Sequence, residues 1–260
     1  MIASCAVLTT LLIGIVGGFC VSMLANFATT IFLHRALAHK ALTMRSPLRF
    51  AFRVFTWVAT GIRPRQWAAV HRKHHAFTDV EGDPHSPVLL GWTAVQMKNV
   101  ALYRKEAADP TTIAKYARDI PADRWDRVLF DHALLGLAVG TGILMLVLGP
   151  WAGLIAAFVH VNVYLATSAA VNAMAHHFGR QPYADCSATN LQWLAWLTAG
   201  EGLHNNHHAA PTSARLSHRR WEFDPGWWAI CGFRRLGLVK VRLNEVVYRA
   251  AARRPAKSAA

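Results

Sequence analysis

Residues 21–39 read Val21-Ser-Met-Leu-Ala-Asn-Phe-Ala-Thr-Thr-Ile-Phe-Leu-His34-Arg-Ala-Leu-Ala-His39. An apolar run ends here in two histidines, with no linker between. The run begins at Ala3 and ends at Leu33. One helix needs about 20 residues to cross a bilayer core, so this is enough for one tilted span and too little for two. A cleaved leader would start with a basic segment. None precedes this run, and it leads straight into His34, so residues 3–33 are read as a retained first span.

Two more apolar runs follow. Residues 128–148 and 151–171 flank Gly149-Pro150, a turn signal, and read as a helical hairpin of two further spans. Residues 47–62 are apolar too, but they carry Arg49 and Arg53. A charge at the bilayer centre costs at least ~2.5–3.5 kcal/mol on insertion scales, so this stretch is read as an interfacial helix. The expected fold is therefore all-α. About three spans are capped by a helical cytoplasmic part made of residues 34–127 and 172–260, in one domain over 1–260.

The charge map supports that topology. The chain is 53% hydrophobic, yet holds 28 Lys+Arg against 14 Asp+Glu. Sixteen of the basic residues lie between Arg35 and Arg127 and 12 between Arg180 and Lys257, leaving none in 1–34 or 128–179. The positive-inside rule places both basic segments in the cytoplasm. A span at 47–62 would put histidines that must share a site on opposite sides of the membrane. No basic-aromatic pattern of a nucleic-acid module is present, so nucleic acid is excluded as a partner. Cys5, Cys20, Cys186 and Cys231 form no CxxC pair, which excludes a disulfide framework and a cysteine zinc site. The tail from Ala250 to Ala260 is small and basic and is expected to fray.

Fourteen histidines are the anomaly. Most fall in four clusters: His34 with His39, His71-Arg-Lys-His74-His75, His176-His177 after Asn172, and His204-Asn-Asn-His207-His208. In a helical HxxHH, positions i, i+3 and i+4 share a face, so three imidazoles converge. His34 and His39 lie about 140° apart on a straight α-helix, a poor match unless the helix ends or two metals sit side by side. Imidazole suits Zn, Cu, Fe and Ni. Even with His177 set aside as a neighbour of His176, nine imidazoles are too many for one ion and about right for two. His132 and His160 are read as satisfied core residues and His218 as a loop residue. Asp79, Glu81, Asp83, Asp185 and Glu201 lie close to the clusters and are candidates to accept the second ring N–H of a ligand histidine.

The pattern resembles the membrane fatty acyl desaturases, in their acyl-CoA Δ9 (stearoyl-CoA desaturase-like) branch. The resemblance rests on His34-Arg…His39, His71-Arg-x-His74-His75, Asn172-x-x-x-His176-x-x-Gly179 and His204-Asn-x-His207-His208. Asp83-Pro84-His85, Gly200-Glu201-Gly202, Pro211 and Phe223-Asp224-x-x-Trp227 extend it along nearly the whole chain. It implies two iron ions held by His34, His39, His71, His74, His75, His176, His204, His207 and His208, with Asn172 reaching the second iron through water. It implies Trp67 near an acyl tunnel, and O2 as co-substrate. The expected reaction puts a cis double bond into a saturated acyl chain, with acyl-CoA and Δ9 favoured.

No cytochrome b5-like domain is fused, so electrons are expected from a separate ferredoxin, rubredoxin-like protein or cytochrome with its reductase. Membrane lipid completes the partners, and a bacterial-type plasma membrane is the expected location. The sequence departs from the family in having room for one span, not two, before His34. His177 also stands where an apolar residue is usual. A lipid hydroxylase or monooxygenase on the same scaffold is the competing enzyme reading. A metal transporter is the competing non-enzyme reading, disfavoured because the spans lack carboxylates.

Overall fold

The computed structural model describes residues 2–184 and 187–244. Helix α1 (Ile2–Ala28) continues into a π-helical segment, Thr29–Ala38. Helices α7 (Ala133–Leu148) and α8 (Pro150–Ala173) form the expected hairpin. It turns at Gly149, whose φ of +88° lies in the region that favours glycine. α8 lies along both α1 and α7. At Gly18 a Cβ would stand 2.5 Å from the Ala156 carbonyl oxygen, so the α1–α8 approach needs a bare Cα.

The outward faces of these helices stay apolar. Leu8, Val16, Leu146, Val147 and Phe158 are all exposed. A helix that is hydrophobic all round belongs in a core or a bilayer, and these faces have no protein covering them. Two helical stretches, Ser4–Ala38 and Pro150–His176, are long and apolar enough to cross a membrane. α7 is shorter, at 16 residues, or about 24 Å against a hydrocarbon core of about 30 Å.

The cap consists of α2 (Ser46–Thr60), α3 (Pro64–Phe77), α4 (Pro87–Leu90), α5 (Trp92–Ala107), α6 (Pro110–Tyr116), α9 (Gln192–Leu197), α10 (His204–Ala209) and α11 (Pro225–Arg235). Each of α2, α3, α4, α6 and α11 has proline in its first turn, where the missing N–H costs nothing. The apolar stretch expected at 47–62 is α2; it stops at Thr60 because Gly61 takes a left-handed conformation. Its Arg53 is bound by Asp123 and Asp126 at 2.6 and 2.7 Å.

Several expectations are corrected. The chain is mostly helical, not all-α: β1 (Leu42–Met44) and β2 (Val239–Val241) pair antiparallel, Leu42 opposite Val241. The second apolar helix starts at Ala133, not Val128. A π-helical turn, Asp126–Phe130, ends at Asp131, and His132 leaves helical geometry with ψ of 70°. His132 is exposed there and is not a core residue. His160 is a satisfied core residue: Nε2 donates to the Ala59 carbonyl at 2.7 Å, and Nδ1 accepts from Ser22 Oγ at 3.1 Å. His218 lies in the loop between α10 and α11. The tail, like Asp185 and Cys186, lies outside the described residues.

One buried ion pair ties the cap to the end of α1. Arg35 contacts both carboxylate oxygens of Asp224, at 2.7 and 3.3 Å, and both side chains are fully buried. Arg35 also donates to Thr30 and to the carbonyls of Ala214 and Ala199. Asp224 in turn accepts from the backbone of Leu216 and Trp227, which caps α11. Every strong donor and acceptor of the pair is used, which is the condition for tolerating buried charge.

Candidate metal centre

The π-helical segment solves the spacing problem at His34 and His39. In a π-helix the bonds run i→i+5, and the His39 amide donates to the His34 carbonyl at 3.0 Å. Residues five apart therefore come into register, and the two rings meet with centroids 4.8 Å apart. In α3, His71, His74 and His75 point from one face, as the HxxHH spacing demands. α10 presents His204, His207 and His208, and the 3-10 turn at the end of α8 presents His176.

These nine histidines fall into two groups. His34, His39, His71, His75 and His207 form one; His74, His176, His204 and His208 form the other. Within each group the potential ligand nitrogens lie within 4.8 Å of one another. His177, beside His176, belongs to neither; its ring stacks on Trp92.

Carboxylates fix the ring orientations. His34 Nδ1–H donates to Glu201 at 2.7 Å, His176 Nδ1–H to Asp79 at 2.7 Å, and His74 Nδ1–H to Asp83 at 3.0 Å. Each Nε2 is then left as a lone pair aimed inward, the arrangement that metal-bound imidazoles adopt. Asp79 and Asp83 stand in the turn after α3, where Asp79 takes a φ of +58°, a strained position that aspartate tolerates better than most residues. Thr30, Ser86 and Ser187 complete the carboxylates' bonding. Glu81 is exposed and makes no such contact.

The electrostatics suit a cation. Burial is the largest cause holding His39, His71, His75, His204, His207 and His208 well below the ordinary histidine range, and neighbouring imidazoles lower them further. They are neutral donors at pH 7. Burial pushes Asp79, Asp83 and Glu201 up, but bonds from His176, His74 and His34 outweigh it and keep all three ionised.

The donor set fits a metal. The Nε2 atoms of His74 and His176 are buried with no hydrogen-bond partner among the described residues. Nε2 of His34 faces Nε2 of His207 at 3.0 Å, and Nε2 of His39 faces that of His71 at 2.8 Å. Two lone pairs so placed need a cation or a proton between them.

A cavity of about 730 Å³ adjoins the centre, reached by His71, His204 and Asn172 and extending between α5, α7 and α8 to Leu137 and Tyr164. This volume falls within the about 300–1,000 Å³ of typical small-molecule sites. Trp67 lines it and stacks on His71 at 4.8 Å. Asn172 also lines it, its amide donating to Asn99 at 3.3 Å.

Sequence reasoning gave His85 no role at the centre. It is buried, stacks on His74 at 4.7 Å, and groups with His74 and Asp83. Burial and the His74 charge lower its pKa to about 3. Its place in Asp83-Pro84-His85, right after the second cluster, was the available signal. Arg35, beside His34, was the signal for the buried pair with Asp224.

The fatty acid desaturase family model matches residues 9–230. The chain is 34% identical over 218 residues to the sn-2 palmitoyl-lipid 9-desaturase of Nostoc sp. (strain 36), covering 80% of this chain and 73% of that one. It is 30% identical over 213 residues to the sn-1 stearoyl-lipid 9-desaturase of Synechocystis sp. (strain ATCC 27184 / PCC 6803 / Kazusa), covering 81% and 65%. It is 31% identical over 221 residues to the acyl-CoA C20 Delta5-desaturase of Anemone leveillei, covering 82% and 68%. With a family model matched over most of its length and relatives of 30% identity or more named as desaturases, the chain belongs to the fatty acid desaturase family and is an oxidoreductase.

Proposed function

We propose that the chain uses O2 and two iron ions to place a cis double bond at Δ9 of a saturated acyl chain, with electrons from a separate carrier protein. One observation carries this reading: nine histidine nitrogens gathered in two groups beside a largely apolar cavity. His34, His39, His71, His75 and His207 would hold one ion. His74, His176, His204 and His208, with Asn172 through water, would hold the other. When bound, this centre supplies oxygen activation and the oxidising power to break an unactivated C–H bond.

The chain's own residues supply position more than acid–base chemistry. Glu201, Asp83 and Asp79 lock the ligand rings. Trp67, stacked on His71, forms a flat wall against which the reacting methylenes lie. Overall, two hydrogens leave adjacent carbons; with one O2, two electrons and two protons they give the alkene and two waters. The electron donor is a ferredoxin, a rubredoxin-like protein or a cytochrome, served by its reductase. The basic cap faces the cytoplasm, and the membrane is a plasma membrane of bacterial type. Relatives named for lipid-borne and CoA-borne chains share similar identity with this chain, so family membership does not choose the carrier.

The test is expression in a host without an aerobic desaturase, with a donor and reductase supplied, followed by mass spectrometry of total fatty acids. New Δ9 monounsaturated chains, absent from a His74→Ala control, are expected. Hydroxylated chains in their place would move the chain to oxygen insertion.

A further inference from the structure

The cavity beside the metal centre shares a wall with the outer surface. Val100 of α5, Leu134 of α7 and Leu165 of α8 line it, yet they are 40%, 78% and 39% exposed. They come from three elements that meet where α5 crosses α8, held there by the bond from Gln96 to the Ala166 carbonyl at 3.1 Å. Beyond them the surface stays apolar, with Leu135 exposed on α7 and Met97 on α5. The opening is thus continuous with the lipid-facing surface of the hairpin.

Its rim and wall carry polar groups, two of which, the Arg104 side chain and the Tyr103 hydroxyl, have no protein partner among the described residues. Arg104 is exposed, and its side chain has no hydrogen-bond or ion-pair partner among the described residues. Arg63 lines the same cavity, held by the Asp131 carbonyl at 2.6 Å and near its carboxylate at 3.9 Å, with nearly half of its side chain exposed. The Tyr103 hydroxyl is buried in the wall with no hydrogen-bond partner among the described residues. Burial holds it protonated, so it is a donor awaiting an acceptor.

This inference rests on the desaturase reading and departs from the acyl-CoA expectation. We infer that the gap between α5, α7 and α8 is a lateral portal for the acyl chain of a membrane phospholipid. Tyr103 donates to its ester carbonyl, and Arg63 and Arg104 face its phosphate. Leu134 and Val100 on the wall, with Met97 exposed beyond them, give this opening an apolar side that suits a chain arriving from the bilayer. A lipid already in the bilayer needs only to slide its chain sideways, and two guanidiniums at an interface suit a phosphate.

The experiment uses the iron-loaded protein in nanodiscs of dipalmitoyl phosphatidylglycerol, with donor, reductase and O2, and palmitoyl-CoA as a second arm. Unsaturated chains are expected in the phospholipid fraction. A Val100→Trp/Leu134→Trp variant, which narrows the portal, is expected to lose at least tenfold in lipid turnover, whereas Leu146→Trp, exposed on the same helix as Leu134 but away from the cavity, is not. Tyr103→Phe should raise KM for the lipid about three- to tenfold, the worth of one hydrogen bond. Native mass spectrometry of metal-free protein gives a readout without turnover: wild type retains a phosphatidylglycerol that the narrowed variant loses. Unsaturated palmitoyl-CoA beside a fully saturated phospholipid fraction would overturn the portal and leave the desaturase reading standing. Equal lipid retention by wild type and narrowed variant would also overturn it. Product from neither carrier, with lipid retention as expected, would keep the portal and remove the desaturase reading.

Discussion

The guanidinium of Arg35 and the carboxylate of Asp224 lie 2.7 Å apart in a site that solvent does not reach, although 189 residues separate them in sequence. Removing one partner leaves the other charged and buried, a loss of about 3–5 kcal/mol in comparable pairs. Asp224→Ala should therefore lower thermal stability in detergent sharply. A double variant, Arg35→Met/Asp224→Leu, should recover part of the loss because no charge is stranded. An Asp224→Ala protein within about 1 kcal/mol of wild type would mean that water replaces the carboxylate.

His74 and Asp83 give a graded test of the centre. His74→Ala removes a nitrogen from the group of four and should abolish desaturation and reduce bound iron. Asp83→Asn keeps the size but weakens the hold on His74 Nδ1, so iron affinity should fall about 10–100-fold. Metal analysis after dialysis against a chelator reads both. The same iron content in both variants and wild type would take His74 out of the ligand set.

Acid should weaken the metal-free protein. Six histidines of the centre titrate well below 6.5 when folded. Once unfolded they titrate near 6.5, so between the two values the unfolded chain binds more protons. Their contribution is fully present above pH 6.5 and is lost as pH falls below it, by up to about 1.4 kcal/mol per group per pH unit. Thermal unfolding should show a Tm that holds from pH 7.5 to about 6.5 and falls from there to pH 5.5. A flat profile would mean that these rings are solvated.

Gly140 tests the packing of α7 on α2. Any Cβ there would run into the Val58 carbonyl oxygen. Gly140→Leu should cost about 1–3 kcal/mol or more by overpacking. Leu146→Ala, on the exposed side of α7, should change little. Comparison of the two by thermal unfolding tests the contact, and similar midpoints would count against it.

The sequence was most legible where one periodicity governs a long segment. α8 runs from Pro150 to Ala173 where 151–171 was expected, and the HxxHH spacing of α3 and α10 foretold convergent imidazoles. What stayed hidden depends on contacts between distant residues or on irregular backbone. The pairing of Leu42–Met44 with Val239–Val241 joins two three-residue strands from opposite ends of the chain, too short for any pattern. Val128 to Phe130 are apolar and look like a helix start, but Asp131 and His132 break the helix after them. Asp79 and Glu201 were candidates by nearness in sequence. Their partners, His176 and His34, are distant in sequence, and only the fold brings them together. The split of nine histidines into five and four is likewise a property of the assembled cap.

The wide turn at Thr29–Ala38 separates two jobs within one continuous helix. Below it, α1 keeps the α-helical pitch that sets Gly14 and Gly18 against α8. Above it, the backbone follows the slower winding that brings His34 and His39 together. The segment works as a gearbox between two rotational registers, and its ratio depends on residue count more than on side chains. Removing one residue from it would turn everything beyond by about 80°, the angle per residue of an i→i+5 helix. The membrane packing below would be unchanged, while His34 would lose its partners and Arg35 would point away from Asp224. In this stretch the number of residues is itself part of the candidate metal centre.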